Sequence, residues 1–360
     1  MKNICIVVGA RPNFVKVAPL LRAFEKAEGA RCTLVYAGSE SDPTLEPSLF
    51  DDLQMPRPDV FLGVVSQRLN EITAQVMGRL DQYMEEHQTD IVIVVDDLAS
   101  TMAAAITAKK RGIKLAHLVA GTRSFDISMP KEVNRLVIDA LSDYMFTAGV
   151  KSNSVATREQ QSETSQTYMV GNILMDTLRY NLPRFRQPSN FSLPSSSYLV
   201  LTLNRRVLLS DEEMLRQILR TLTDKTGDVP IVAPLRGMAL GIVVRLLAEL
   251  DIPSTKFHVQ NAMPYLEFGW LTAHACGIIT DSGNVAEEAT FNGVPCITLN
   301  DYTEHQETVT VGTNVLVGGD LQKLSDALSL LLSGGWKKAA LPDRWDGRSA
   351  ERIVQILLTQ

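Results

Sequence analysis

"NICIVVGARPNFVKVAPLLRAFEKAEGARCTLVYAG", residues 3–38, decides the fold. An apolar run of strand length ends at Gly9, a helical pattern follows from about Pro12 to Lys26, and a second apolar run, "RCTLVYAG", closes the unit. Strand, helix and strand in that order make a parallel pair, because the connection is long enough to cross the sheet face and too long for a hairpin. The alternation continues through a helix from about Gln67 to Gln88, then "DIVIVVDD", "IKLAHLVAG", "YMFTAG" and "TYMVGN". A run such as "IVIVV" is apolar at every position, as expected of a strand covered by helices on both faces.

The stretch "LPRFRQPSNFSLPSSS", residues 182–197, is rich in Pro and Ser and reads as a linker or a long surface loop. After it the alternation restarts: "YLVLTLNRR", a helix from about Ser210, "VPIVAPLRG", a helix from Leu240, "KFHVQ", "CGIITDSGN", a helix from Val285, and "PCITLND". The expectation is α/β, with two doubly wound domains of Rossmann type facing each other across a cleft. A chain of 360 residues supports two domains of about 100–200 residues each. Ligands of such sheets sit at the carboxyl ends of the strands, here "GARPN", "DDLAS", "AGTRS", "TLNRR", "APLRG" and "TDSGN".

Composition narrows the function classes. With 45% hydrophobic and 21% charged residues the chain is an ordinary globular protein, and its net charge of -6 with scattered basic residues argues against nucleic acid as a partner. Cys5, Cys32, Cys276 and Cys296 lie in or beside apolar runs without C-x-x-C spacing, which reads as buried thiols in a reducing compartment. The N-terminal apolar run is broken by Gly9, Arg11 and Pro12 before it reaches signal or membrane-span length. A soluble cytoplasmic protein without a membrane span, metal or cofactor is the expectation.

Candidate binding residues follow from strand ends. Gly9 closes the first strand, Arg11 stands at the mouth of the following helix, and the turn's N–H groups suit a phosphate. Lys16, one turn on, adds positive potential or is simply exposed. In "TDSGNVAEEA", Thr280 or Ser282 caps a helix that opens near Gly283 and Asn284, leaving N–H groups for an anion. Glu287 and Glu288 in its first turns either complement the helix dipole or bind a ribose diol. Asp96 beside Asp97 forms a like-charge pair that can raise one pKa, unless one of them caps the next helix. His117 reads as a core histidine bonded to backbone, His274 as structural, and His305 beside Glu304 as a polar contact in a loop.

Eight segments carry a resemblance: "GARPNFVKVAPL", "AGTRSFDISMPKEVNR", "VGNILMDTL", "PYLEFGWL", "TDSGNVAEEA", "NGVPCITL", "VGTNVLVG" and "WDGRSAERI". In this order they resemble the non-hydrolysing UDP-N-acetylglucosamine 2-epimerases, which have the two-domain GT-B fold. The resemblance implies an N-terminal domain over residues 1–172, a UDP-binding domain over 173–345, and a last helix, 346–360, returning to the first domain. It implies elimination of UDP from a UDP-HexNAc, leaving an unsaturated intermediate, and re-addition after proton exchange at C2. It also implies a homodimer.

Asp97 and Glu132 match the family's positions and become the catalytic candidates, and Asp96, a departure from the family pattern, joins them through its like-charge pair with Asp97. Arg11, Lys16, Arg135, Asn204, Arg205, Arg236, Ser282, Gly283, Asn284, Glu287, Glu304 and His305 become the candidates for holding the UDP-sugar. Several positions depart from the family pattern. Val119 replaces a glutamate, Lys131 another glutamate, Asn204 a histidine, and Asp96, Ala99, Asn284, Asn300, His305 and Gln306 replace other usual residues. Around Asp42 the chain also lacks a Gln-His pair that many relatives use for activation by substrate. Three readings therefore stand open: a 2-epimerase, a UDP-sugar transferase or hydrolase on the same frame, and a silent UDP-sugar-binding paralogue.

Overall fold

A computed structural model describes residues 1–160, 162–189, 192 and 197–359. The chain divides into two compact units, Met1–Asn181 with Asp343–Gln360, and Leu182–Pro342. Much of the Pro/Ser-rich stretch, at 190, 191 and 193–196, lies outside the described residues.

Unit 1 runs β1 (Lys2–Val8), α1 (Arg11–Glu25), β2 (Ala30–Tyr36), α2 (Pro47–Leu53), β3 (Val60–Phe61), α3 (Leu69–Glu86), β4 (Ile91–Val95), α4 (Ala99–Lys110), β5 (Lys114–Leu118), α5 (Pro130–Leu141), β6 (Tyr144–Thr147), α6 (Val150–Arg158), β7 (Gln166–Met169) and α7 (Ile173–Asn181). Unit 2 runs β8 (Leu199–Thr202), α8 (Arg206–Ser210), α9 (Glu212–Lys225), β9 (Ile231–Leu235), α10 (Gly237–Glu249), β10 (Phe257–Asn261), α11 (Tyr265–Ala273), β11 (Gly277–Thr280), α12 (Gly283–Asn292), β12 (Cys296–Thr298), α13 (Glu307–Thr310), β13 (Asn314–Leu316) and α14 (Leu321–Leu332). The last helix, α15 (Ser349–Thr359), belongs to unit 1.

Every strand pair in both sheets is parallel, in the orders β3-β2-β1-β4-β5-β6-β7 and β10-β9-β8-β11-β12-β13. All five residues of β4 are buried, which is why "IVIVV" is apolar throughout. In each order the chain reverses direction once, between β1 and β4 and between β8 and β11. Loops leave such a pair on opposite sides and open a crevice at the carboxyl ends. No helix among the described residues is long and apolar enough to cross a membrane.

The domain boundary differs from the sequence expectation of 172/173. Helix α7 packs on α1 and so belongs to unit 1, which extends the unit to Asn181. The reason is chemical. Pro19 sits inside α1 and has no N–H to give the carbonyl of Val15. The buried hydroxyl of Thr177 supplies that hydrogen bond instead, at 2.5 Å. The returning segment is fastened equally firmly. Asp176 accepts the amides of Ser349 (3.0 Å) and Ala350 (2.8 Å) at the start of α15, and buried Trp345 donates Nε1–H to the Ala148 carbonyl at 3.0 Å. Gly171, at φ 97°, lies so close to this segment that a Cβ would stand 2.0 Å from the Arg344 carbonyl oxygen.

Thr177→Val keeps the shape of the side chain but leaves the Val15 carbonyl buried without a donor. The expected loss is about 1–3 kcal/mol of stability, read as a lowered denaturant midpoint. An unchanged midpoint would refute the role given to the hydroxyl.

Candidate active site

In unit 1 the turn after β1 comes within reach of α4: a Cβ on Gly9 would lie 1.9 Å from Ser100 Oγ, so only glycine closes this corner. The N–H groups of Gly9 and Ala10, expected to face a phosphate, are instead taken by Asn13 Oδ1 at 2.9 and 3.3 Å. Asn13 Nδ2 then donates to Asp96 Oδ2 at 2.9 Å, and Lys16 Nζ meets Asp96 Oδ1 at 2.6 Å. Lys16 is thus buried and paired, not exposed. Its ammonium, with Asn13, answers a partly buried carboxylate.

Asp97 points elsewhere. Its Oδ2 accepts Arg135 Nε at 2.8 Å and lies 2.5 Å from Arg135 Nη2, while its Oδ1 is 3.4 Å from Lys131 Nζ. Asn134 Nδ2 donates to the Asp97 carbonyl at 2.8 Å. Lys131, Asn134 and Arg135 stand at i, i+3 and i+4 on α5, so one helix face presents all three to the β4 loop. The like-charge pair of Asp96 and Asp97 therefore does not raise Asp97. Burial alone would push it up, but Lys131 and Arg135 outweigh burial and hold it below the usual carboxylate range. Neither aspartate caps α4, whose N-cap position is Leu98 and whose Leu98 amide is met by Thr101 Oγ1 at 3.0 Å.

Glu132 is buried and fully engaged. It accepts the Ser124 amide and hydroxyl (2.8 and 2.9 Å), the Phe125 amide (3.1 Å) and Arg135 Nη1 (3.2 Å). Burial raises it and these donors lower it further, for a net shift downward. Behind it, His117 directs Nδ1 to Asp139 (2.5 Å) and Nε2 to the Asp96 carbonyl (2.9 Å). Asp139 also meets Arg123 at 2.7 Å, and Arg123 reaches Glu159 at 2.8 Å. The backbone here is strained. Of the six non-glycine residues with positive φ among those described, Asp96 (57°), Val119 (74°) and Phe125 (60°) belong to this cluster. Val119 is the extreme case, since a β-branched side chain crowds the left-handed region.

In unit 2, Asp281 is wholly buried at the end of β11, and its carboxylate accepts the amides of Asn204 (2.8 Å) and Arg205 (2.7 Å) from the loop after β8. Asn300 Nδ2 holds the Asp281 carbonyl at 3.0 Å. The Arg205 guanidinium lies against Tyr302, 3.4 Å from its hydroxyl and 5.5 Å from the ring centroid. Arg236, at the N-cap of α10, is exposed and in no ion pair among the described residues. Ser282 is the N-cap of α12 but its side chain caps nothing; Thr280 Oγ1 accepts the Ser282 amide at 2.9 Å. The first-turn amides of Gly283, Asn284 and Val285 have no acceptor among the described residues. They form an anion site in the sense of a free helix N-terminus.

The glutamate pair of α12 divides in an unexpected way. Glu287 Oε1 lies 3.7 Å from Nε2 of buried His305, so that carboxylate is committed. Glu288 is 7% exposed and has no hydrogen-bond partner among the described residues. Burial, with the charge of Glu287 adding, pushes it up to about 8. A buried carboxyl without a donor is the group that ligand hydroxyls would satisfy. The sequence pattern points to the doublet and to Glu287 as the site residue; one step along a helix turns a side chain by about 100°, and only the helix register separates the two. Among the described residues no cluster of three or more His, Cys, Asp or Glu is placed to hold a metal ion.

Comparison with known proteins gives a consistent result. A family profile described as UDP-N-acetylglucosamine 2-epimerase matches residues 22–358. The chain is 31% identical to the UDP-N-acetylglucosamine 2-epimerase of Methanocaldococcus jannaschii over 370 residues, 99% of this chain and 98% of that one. It is 30% identical to the UDP-2,3-diacetamido-2,3-dideoxy-D-glucuronate 2-epimerase of Pseudomonas aeruginosa, over 88% of each. Among solved structures, the M. jannaschii UDP-GlcNAc 2-epimerase with UDP-GlcNAc and UDP superposes with a TM-score of 0.87, covering 99% of this chain and all of that one. The Neisseria meningitidis enzyme bound to UDP-GlcNAc gives 0.88 at 25% identity, with full coverage of both.

Two outcomes test this geometry. Glu288 is protonated in the fold over a range where the unfolded chain, with glutamates near 4.5, is ionised. Its stabilising contribution is complete below pH 4.5 and lost as pH rises through about 8. Glu288→Gln should therefore melt above the wild type at pH 9 and match it near pH 4; parallel pH curves would contradict the assignment. Val119→Gly removes a strain of about 1–3 kcal/mol at the expense of about 0.5–1 kcal/mol of chain entropy, so a net gain of about 1 kcal/mol is expected in a denaturant titration.

Proposed function

The chain belongs to the UDP-N-acetylglucosamine 2-epimerase family, with the α/β GT-B fold, and on that footing we propose that it interconverts UDP-N-acetylglucosamine and UDP-N-acetylmannosamine, or a related UDP-HexNAc pair. A base removes the C2 proton while the C1–O bond breaks and its electrons leave with UDP. A proton then returns to the opposite face of C2, and the UDP oxygen rejoins C1. The observation that carries this reading is the Asp97–Arg135 pair at the carboxyl end of β4, in a chain that matches the family along almost its whole length.

The roles follow from which groups are still available. In unit 2, the open amides of α12 at Gly283, Asn284 and Val285, with Arg205 and Arg236, take the diphosphate. Glu288, in place of Glu287, accepts the ribose hydroxyls. His305 and Glu304 are left to shape that loop, and Asn204 serves through its amide on Asp281. In unit 1, Asp97 is the proton acceptor, Arg11 supplies positive potential, and Lys16 with Asp96 forms a neutral pair that fixes the loop. Glu132 is a positioning residue, because acting as an acid would require it to release the 124–125 turn.

A second reading is favoured by one specific feature. Asp97 has the exposed cation Lys131 beside it, Val119 and Lys131 stand at positions where the resemblance puts acids, and Glu132 is consumed. A UDP-sugar hydrolase or transferase acting at C1 needs no proton exchange on two faces of C2. In either case a cytoplasmic setting is in keeping with four unpaired cysteines, three of them pushed up to about 12 by burial. A homodimer is carried over from the resemblance, and light scattering reads it.

The deciding experiment follows UDP-GlcNAc by NMR in heavy water. Deuterium at C2 together with manno product supports epimerisation, free UDP without exchange supports the second reading, and binding without turnover defeats both. Asp97→Asn should slow exchange by about 10²–10⁴-fold. Because its cations hold Asp97 below the usual carboxylate range, the acidic limb of the rate profile should lie below that range.

A further inference from the structure

The two carboxylate oxygens of Asp97 are held unequally. Oδ2 takes both contacts of Arg135, Nε at 2.8 Å and Nη2 at 2.5 Å. Oδ1 accepts no hydrogen bond among the described residues, and the group against it is Lys131 Nζ at 3.4 Å, beyond the about 2.7–2.9 Å of a charge-assisted bond. The other cations near Asp97 are tied to further carboxylates. Arg135 is buried and also meets Glu132 at 3.2 Å, and Lys16 is buried on Asp96 at 2.6 Å, so neither can leave without stripping a second acid. Lys131 has 61% of its side chain exposed and has Asp97 as its one ion-pair partner among the described residues.

The helix itself works against this lysine. Lys131 is the second residue of α5, after Pro130, where the positive end of the helix dipole disfavours a cation and favours an acid such as Glu132 beside it. Charge counting isolates it further. Lys16 offsets Asp96 and Arg135 offsets Glu132, which leaves Lys131 to offset Asp97. Burial raises Asp97, and Lys131, Arg135 and Lys16 together outweigh burial. Of these three cations Lys131 is the one that can move into solvent at small cost, since an exposed ion pair is weak.

We propose that Lys131 is a positioning residue for the reaction: a removable cover on Oδ1 of Asp97 that, in place, favours cleavage of the C1–O bond and, swung into solvent, frees Oδ1 to take the proton from C2. This role rests on the UDP-HexNAc chemistry proposed above. In that chemistry the C2–H electron pair becomes the C1–C2 double bond, the C1–O pair leaves with UDP, and the proton needs a carboxylate oxygen with an open lone pair. Oδ2 already faces two donors, so Oδ1 is that oxygen, and a cation resting on it competes with the proton. The same cation stabilises negative charge on a departing diphosphate. Position 131 therefore sets the balance between the two bonds.

The test uses the full chain and two readouts. A carbon-13 NMR titration of labelled aspartate carboxyls, with Asp97 assigned by the signal lost in Asp97→Asn, needs no substrate. Lys131→Gln should move the Asp97 titration to higher pH. Lys131→Arg, which keeps the cation, and Lys110→Gln, which removes an exposed one elsewhere, should leave it in place. UDP-GlcNAc carrying oxygen-18 in the C1–O bridge, turned over in heavy water, then reads deuterium at C2 against scrambling of the bridge oxygen. Lys131→Gln should raise that ratio about 2–5-fold, the worth of an exposed ion pair, and Lys131→Arg should restore it. An unmoved titration, or a ratio that stays level or falls, overturns the role of Lys131. Scrambling and exchange both absent from every form overturn the UDP-HexNAc reading instead, and the titration still decides whether Lys131 governs Asp97.

Discussion

An aspartate placed one residue past the strand beyond each switch point reaches back across it, and the rest of both sites depends on that reach. Asp96 follows β4 and is met by Asn13 and Lys16 from the start of α1. Asp281 follows β11 and is met by the amides of Asn204 and Arg205 beyond β8. A carboxylate in such a place must be fully answered, since an uncompensated buried charge costs several kcal/mol. The two units answer it with different groups. In unit 1 side chains are used, so the loop is filled: Asn13 takes two amides, and Lys16 is neutralised. In unit 2 the backbone is used, so the Arg205 side chain and the opening turn of α12 remain free for a ligand. The division of labour proposed above, with chemistry in unit 1 and the phosphates in unit 2, accords with this difference in donors.

Around Asp96 the strain has a mechanical origin. The amides of Val119 and Ala120 both donate to the Phe146 carbonyl, at 3.1 and 3.0 Å, and this double bond turns the chain left-handed at the end of β5. Asp96 N–H reaches the Leu118 carbonyl in the same layer, and His117 holds the Asp96 carbonyl from below. The frame is thus specified by main-chain bonds and by His117, Asp139 and Arg123. It does not depend on which side chain occupies position 119, so the geometry persists with a valine there.

The sequence made the alternation of strand and helix legible, and with it two doubly wound units, because long apolar runs leave little choice. Short elements escaped: α2, β3, α8 and β13 are each too brief to show a period. The boundary was misplaced because nothing in the pattern of α7 says which sheet it covers; the proline in α1 and the hydroxyl of Thr177 decide that, and they are 158 residues apart. Among site residues, strand-end position was legible and partnership was not. Lys16, Glu132 and Glu287 stand on helices that follow strand ends, yet each is already committed to a neighbour, whereas Glu288 has no hydrogen-bond partner among the described residues. A side chain's position follows from local periodicity, but its availability depends on groups far away in the chain.

Asp97 shows what such commitments do to chemistry. Arg135 holds it at 2.5 Å and Lys131 adds a second cation at 3.4 Å, so the carboxylate is stabilised as an anion and weakened as a base. Each pKa unit of that weakening removes about 1.4 kcal/mol of driving force for taking a proton from C2. The same two cations act in the opposite direction on a departing diphosphate or on any negative charge that develops beside them, where a preorganised charge stabilises the transition state. With Val119 unable to take a proton and Glu132 occupied, unit 1 is better suited to stabilising charge than to moving protons. The balance between breaking the C1–O bond and exchanging the C2 proton therefore rests on whether Asp97 is drawn from its cations once a sugar arrives.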